Sequence, residues 1–221
     1  HPKVKKSFIG SGIRYDMLVP EYNKQADPQE LEDYTEEVIT NHVSGRLKVA
    51  PEHTSDPVLR LMRKPSFSYF HQFKKSFDKI NIKKKLNLQL IPYFISNHPA
   101  CEVEDMANLA AETKDMGFKL EQVQGFTPTP MTVATVIYYS GYHPYTLKKV
   151  FVPKSKKEKD EQHRFFFWYK KENKNWIRNT LNKVNRNDLV QKLLGQEHPR
   201  AKSPGSKSPQ GYQSILKNRR Q

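Results

Sequence analysis

Polar side chains recur at the ends of the segments that we predict to be strands. They are Arg14, Glu52, His53, Asn97, His98 and Gln124. Guanidinium, carboxylate, imidazole and amide groups can bind charged ligands, hold metal ions or transfer protons. Because the active sites of parallel α/β proteins lie at the carboxyl ends of the strands, this recurrence predicts one site at that edge.

Each of these groups also has a local interpretation. Arg14 can form an ion pair with Asp16, and Glu52 and His53 can cap the helix that follows them. The pair His98-Pro99 can form a plain turn. The prediction of a site therefore rests on the repetition from strand to strand, and not on any single residue.

Four short apolar segments have the rhythm of strands that alternate with helices. We predict strands at Lys6–Ser11, Arg46–Ala50, Leu88–Ser96 and Lys119–Phe126. Their centres lie about 30 to 45 residues apart, which is typical of βαβ units and a parallel sheet. The third segment, LQLIPYFIS, is nearly continuous in apolar residues, which favours a strand covered on both faces.

Capping residues and apolar periodicity mark the helices. Asp27-Pro28 with Glu30, and Ser155 with Glu158, resemble capping boxes. Helices are predicted from Asp27, around Val58–Met62, from Ser66, and over Glu102–Met116, Met131–Tyr139, Ser155–Tyr169, Asn173–Val184 and Asn187–Leu194. A short strand is considered at Leu147–Val152, and most of the aromatic run at residues 165–169 is expected in the core.

The fold class predicted is α/β, in three parts. Residues 1–130 are the C-terminal part of a TIM-like barrel, residues 131–195 a mostly helical region, and residues 196–221 a disordered basic tail. A (β/α) barrel commonly has eight strands, so we expect earlier strands upstream of His1. The missing N-terminal half of the barrel is then a partner of this chain.

Charge and cysteine content bound the function classes. Residues 148–221 hold 20 Lys and Arg against 6 Asp and Glu, whereas residues 1–147 are nearly balanced. A single cysteine, Cys101, excludes an internal disulfide framework and favours a reducing, cytoplasmic location. No run of about 18 apolar residues is present, so no membrane span is predicted.

Longer strings carry a family resemblance. FIGSGIRYD, VSGRLKVAPEHTSDPVLRLMRKPSFSYF, LIPYFISNHPACEVEDMANLA and QVQGFTPTPMTVATVIYYSGYHPYT occur in this order. They resemble the C-terminal half of YgiQ-type radical S-adenosylmethionine (SAM) proteins, from about Val4 to Leu194. The string TSDPVLRLMRK at Thr54–Lys64 is also similar to one in radical SAM methylthiotransferases.

The resemblance implies a partial α/β barrel that cleaves SAM at a four-iron four-sulfur cluster held by three cysteines. It implies that one strand makes polar contacts to the ribose or carboxylate of SAM, at positions that match Ser11 and Arg14. It implies that the region after the next strand packs on the adenine, at positions that match Val49, Ala50 and Glu52. It implies that the third strand makes backbone contacts to the adenine, at positions that match Phe94 and Ile95. No catalytic residue is assigned.

The sequence departs from this family pattern at the cluster. Iron–sulfur clusters need several closely spaced thiolates, and Cys101 is the one cysteine of the chain. We expect Cys101 to be a small buried residue. The leading interpretation is therefore a C-terminal fragment of a radical SAM enzyme of unknown substrate, which contributes part of the SAM pocket, lacks the cluster cysteines and is expected to be inactive alone.

Two other interpretations stay open at this point. A metal-dependent hydrolase would bring His53, His98, Glu52 and Asp16 onto a Zn²⁺ ion, which favours such ligands. A nucleic-acid-binding module would use the basic C-terminal region, residues 148–221, where aromatic residues interleave with Lys and Arg.

Overall fold

The computed structural model describes residues 3–195, and the predicted disordered tail, residues 196–221, lies outside them. The described residues form three β-strands, eight α-helices and a short 3-10 helix at Tyr15–Leu18. The strands are β1 (Arg46–Glu52), β2 (Gln89–Ser96) and β3 (Gln122–Gly125). The helices are α1 (Pro28–Asn41), α2 (Asp56–Leu61), α3 (Ser68–Lys83), α4 (Val103–Asp115), α5 (Val133–Ser140), α6 (Lys156–Phe166), α7 (Lys171–Lys183) and α8 (Asn187–Leu194).

The three strands form one parallel sheet in the order β1-β2-β3, which confirms the α/β class predicted from the spacing. Helices α2 and α3 connect β1 to β2, and α4 connects β2 to β3. Each connection is a βαβ unit, so all three strands end at the same edge of the sheet. The register shifts between Val49 and Glu52, at the carboxyl end of β1.

Helices cover one face of the sheet. Asp27 caps α1 by accepting hydrogen bonds from the backbone of Gln29 and Glu30, which fixes where the helix begins. The inward faces of α1 and α3 meet the buried side chains of β1 and β2. The largest contributors are Ile39, Phe70, Phe73, Phe77, Leu47 and Phe94, each at most 1% exposed.

The prediction that β2 is covered on both faces is wrong for the described residues. Leu90, Phe94 and Ser96 are buried, but the alternate residues are only half-buried. Side chains alternate across a strand, so this pattern leaves one face of the sheet partly open.

The strand predicted at Lys6–Ser11 does not form. Phe8 is 51% exposed, and the nearest strand-like contact is an isolated parallel bridge between Ile13 and Val49. Lysines and glycines have low strand propensity, and the described residues offer this segment one neighbouring strand only. β3 is also shorter than predicted, since it covers Gln122–Gly125.

The C-terminal helices pack against α4 and share its apolar core. Ser155 and Glu158 form the predicted capping box at the start of α6. Phe165 and Phe166 are fully buried and Trp168 is 8% exposed, which confirms that these aromatics are core. The segment considered as a strand at Leu147–Val152 forms an isolated antiparallel bridge instead. Across residues 3–195, no helix combines the length and the apolar character needed to cross a bilayer.

Candidate functional site at the strand ends

The parallel register brings predicted site residues from successive segments to the same edge of the sheet. The Ile13 backbone donates to the Lys48 carbonyl at 3.2 Å, which holds Arg14 beside the end of β1. Glu52 is paired with Phe94, and Ile95 is paired with Gln124 on β3. Four consecutive backbone segments therefore end along one edge.

The predicted site residues are divided between the two faces of the sheet. Val49 and Phe94 are 1% and 0% exposed, so their side chains belong to the helix-covered core. Ala50 and Ile95 are half-buried, on the alternate, partly open face of the strands. Ser11 is exposed, and its hydroxyl donates to the neighbouring Gly12 carbonyl at 3.4 Å.

Arg14 is anchored by Asp16. The Arg14 Nε donates to Asp16 Oδ1 at 2.9 Å, and Nη2 donates to Oδ2. Burial by itself raises the pKa of Asp16, but the hydrogen bonds and charge of Arg14 outweigh it and hold that pKa below its usual value. The Asp16 side chain is 3% exposed and that of Arg14 is 65% exposed, so a cation is presented at the surface on a buried anchor. Arg14 can therefore form the ion pair with Asp16 and still present its charge to a ligand at the candidate site.

Two residues at the strand ends have left-handed backbone conformations. Glu52 has φ of 67° and Asn97 has φ of 65°, each directly at or after a strand terminus. Positive φ is unusual for residues other than glycine and persists where surrounding contacts impose it. Glu52 is held by Lys64, with 3.3 Å between Nζ and Oε1. Such conformations aim the carboxylate and the amide away from the strand direction.

His53 and Cys101 form a buried neutral pair beneath this edge. The Ser55 backbone donates to His53 Nδ1 at 2.9 Å, so the neutral ring carries its proton on Nε2, 3.4 Å from Cys101 Sγ. Burial lowers the pKa of His53 to about 3 and raises the pKa of the Cys101 thiol well above its ordinary value. Both groups are therefore uncharged at neutral pH, which suits packing and not nucleophilic catalysis. Cys101 is buried, as the sequence predicts.

The loop after β2 is clamped by a residue from α6. The Asn97 backbone donates to Gln162 Oε1 at 2.8 Å, and Gln162 Nε2 donates to the Cys101 carbonyl at 2.5 Å. Gln162 is 1% exposed. Asn97 Oδ1 is buried without a hydrogen-bond partner among the described residues. The β2–α4 loop thus carries an unsatisfied acceptor and is fixed from the C-terminal helices.

The proposed zinc ligands do not converge. Asp16 pairs with Arg14, Glu52 pairs with Lys64, and His53 contacts Cys101. His98 is buried, with Nδ1 2.9 Å from the Pro99 carbonyl oxygen. Among residues 3–195, no three His, Cys, Asp or Glu side chains lie close enough to hold a metal ion.

Sequence reasoning missed three residues of this edge. Tyr93 lies on the alternate face to Phe94 and donates from its hydroxyl to Gln124 Oε1 at 2.5 Å. The alternation within LIPYFIS would have identified Tyr93. Lys64 and Gln162 reach the edge from α2's end and from α6, and no local pattern marks either of them.

Comparisons with known proteins support a relationship over most of the chain. A family model described as a domain of unknown function, DUF3362, matches residues 121–210. A UPF0313 protein of Bacteroides thetaiotaomicron is 59% identical over 197 residues, covering 89% of this chain and 32% of the relative. UPF0313 proteins of Porphyromonas gingivalis and Methanocella arvoryzae are 58% and 43% identical, covering 88% and 86% of this chain and 31% and 30% of the relatives.

The chain therefore spans about a third of the length of the curated relatives it matches. Over most of its own length, it is similar to UPF0313 proteins of bacteria and an archaeon.

Proposed function

We propose that this chain forms the SAM-binding side of a radical SAM barrel within a longer cytoplasmic iron–sulfur enzyme. UPF0313 is the YgiQ family, in agreement with the resemblance carried by the sequence motifs. One structural observation carries the proposal. Parallel segments in chain order end along one edge, where Ile13 bridges Val49, Glu52 is paired with Phe94 and Ile95 is paired with Gln124, and the alternate residues of β2 are only half-buried.

The chemistry of this edge fits SAM. Ile95 and Ala50 offer small apolar surface to a flat adenine ring. The Glu52 carboxylate accepts hydrogen bonds, as ribose hydroxyls require, and the Arg14 guanidinium complements a carboxylate. The unsatisfied Asn97 Oδ1 fits a hydrogen-bond donor. In this proposal Val49 supports Ala50 from the core, and Phe94 contributes backbone atoms.

The chain's own residues do not fit the iron–sulfur cluster. A cluster is held by several thiolates, whereas the sequence has one cysteine, and that cysteine is buried beside His53. We therefore assign SAM binding to this chain and derive no redox step from it. Another part of the longer protein would hold the cluster and complete the barrel.

SAM titration of the full-length, anaerobically reconstituted protein tests the assignment. Glu52→Gln should raise the dissociation constant for SAM about tenfold or more, since hydrogen bonds to a charged group contribute about 1.5–3 kcal/mol. Lys64→Gln breaks the same ion pair but keeps the carboxylate, and Glu32→Gln removes an exposed carboxylate from α1. Both controls should bind SAM within about twofold of the wild type.

The pocket assignment fails if Glu52→Gln binds SAM as tightly as the two controls. Failure of the wild type to bind SAM at all would remove the radical SAM proposal itself. Circular dichroism of each variant checks that the fold is retained.

A further inference from the structure

Residues 131–151 expose an unusual amount of large apolar and aromatic surface. Helix α5 has one buried residue, Ile137. In contrast, Tyr139 is 70% exposed, Tyr145 is 72% exposed and Leu147 is 74% exposed, and Tyr142 is half exposed. Large apolar residues exposed in such number within one short segment favour a binding site.

The turn that carries two of these tyrosines is fixed by hydrogen bonds. Tyr142 and Lys149 form an antiparallel bridge, and the Val150 backbone donates to the Gly141 carbonyl at 2.8 Å. His143 Nδ1 accepts from the Tyr145 backbone at 3.3 Å. Rings presented from an ordered turn lose little freedom when a ligand binds, so less entropy opposes binding.

The same segment is rich in lysine and is bordered by Glu158, whose carboxylate accepts from the Ser155 backbone at 2.9 Å. Residues 122–157 contain five lysines and no Asp or Glu. All five lysines are exposed: Lys148, Lys149, Lys154, Lys156 and Lys157. Two of them lie in the turn with Tyr142 and Tyr145, and Lys154 donates to the Tyr139 carbonyl at 3.2 Å. We call Tyr139–Lys149 together with residues 154–157 the tyrosine–lysine surface.

We infer that the tyrosine–lysine surface binds single-stranded nucleic acid. Bases stack on exposed aromatic rings, and lysines contact the phosphates between them. The core of a protein–protein interface is depleted in lysine, so a surface with five exposed lysines suits a polyanion better. Membrane-bound helices separate an apolar face from a charged face, whereas here the antiparallel bridge places Tyr142 directly opposite Lys149.

This inference is independent of the SAM assignment, because it uses none of the strand-end residues. It also differs from nucleic-acid binding through the basic tail. The tail carries six Lys and Arg within residues 200–220, and the tyrosine–lysine surface precedes them in sequence. The experiment must therefore distinguish nucleic-acid binding at the tyrosine–lysine surface from binding at the tail.

Fluorescence anisotropy of the full-length protein with a labelled single-stranded RNA of about 12 nucleotides tests the inference, since single-strand site sizes are about 4–16 nucleotides. Tyr142→Ala with Tyr145→Ala should weaken binding about tenfold or more, from the loss of two stacking rings. Tyr142→Leu with Tyr145→Leu keeps apolar surface and should weaken binding similarly.

Lys148→Gln with Lys149→Gln should lower the slope of log Kd against log salt by about 1.4, or about 0.7 for each phosphate contact. The matched control, Lys75→Gln with Lys79→Gln on α3, removes two exposed charges elsewhere and should leave Kd and slope nearly unchanged. In a tail variant with its six Lys and Arg changed to Gln, the two tyrosine substitutions should still weaken RNA binding by the same factor.

Several results would overturn the inference. They are equal affinity in the tyrosine variants and the wild type, an equal loss in the α3 control, or RNA binding that disappears only in the tail variant. Binding to vesicles of phosphatidylserine and phosphatidylcholine that depends on Tyr142 and Tyr145, with RNA binding that does not, would assign the surface to a membrane instead.

Discussion

Gln162 should be the residue on which the order of the β2–α4 loop depends most. Its side chain joins α6 to this loop by accepting from the Asn97 backbone and donating to the Cys101 carbonyl, and it is 1% exposed. Gln162→Ala leaves a buried N–H and a buried C=O without partners. Each unsatisfied group costs about 1–3 kcal/mol, so the loss is about 2–6 kcal/mol.

The lower half of this range is expected in Gln162→Ala, because water can enter the vacated space. Gln162→Met keeps the volume without the hydrogen bonds and excludes that water, so it should be no more stable than Gln162→Ala. The matched control is Gln29→Ala, which removes an exposed glutamine that donates to Asp33 at 3.0 Å. Exposed pairs of this kind contribute about 0.2–0.5 kcal/mol.

Hydrogen exchange of the loop from Ser96 to Glu102, read by mass spectrometry, measures this loss locally. A loss of about 2 kcal/mol should speed exchange of the Asn97 amide about 30-fold, since 1.4 kcal/mol is a factor of ten. The melting temperature should fall in parallel. Loop exchange and melting in Gln162→Ala and Gln162→Met that match Gln29→Ala would refute the clamp.

Two further predictions concern the groups beneath the strand ends. In the folded protein, burial lowers the pKa of His53 from 6.5 to about 3. Between these two pH values, the unfolded state therefore binds one more proton than the folded state. Stability should be fully present above pH 6.5 and fall by about 1.4 kcal/mol per pH unit below it. Urea unfolding at several pH values should show a shallower slope in His53→Asn, and an equal slope would contradict the assignment. At Gly125, an added Cβ would lie 2.9 Å from Asn97 Nδ2. Gly125→Ala should therefore lower the free energy of unfolding by about 1 kcal/mol in the wild-type background, and by less in a protein that already carries Asn97→Ala. Thermal melts of the four proteins test this, and an equal cost in both backgrounds would locate the clash elsewhere.

The sequence was sufficient to predict the elements that depend on local patterns. The capping residues Asp27 and Ser155, the strand at Leu88–Ser96 and the helix from Glu102 follow from short-range chemistry that acts wherever the segment packs. The shared edge of the strands was also predictable, because parallel βαβ units place all carboxyl ends together.

What the sequence could not predict depends on long-range contacts. Lys6–Ser11 has an apolar run, but a strand needs a neighbour, and the local pattern cannot show that the bridge to β1 forms only after this segment, between Ile13 and Val49. His53 looked like an edge group, yet it is buried against Cys101, 48 residues away. The contact between Gln162 and Asn97 spans 65 residues and leaves no periodic signal.

Hydrogen exchange of the full-length, reconstituted protein with and without SAM most directly tests whether the strand ends form the SAM pocket. SAM should protect the peptides that cover Val49–Glu52 and Phe94–Asn97, while peptides from α7 and α8 should exchange unchanged. Tight SAM binding with no protection at either strand end would contradict the proposed pocket.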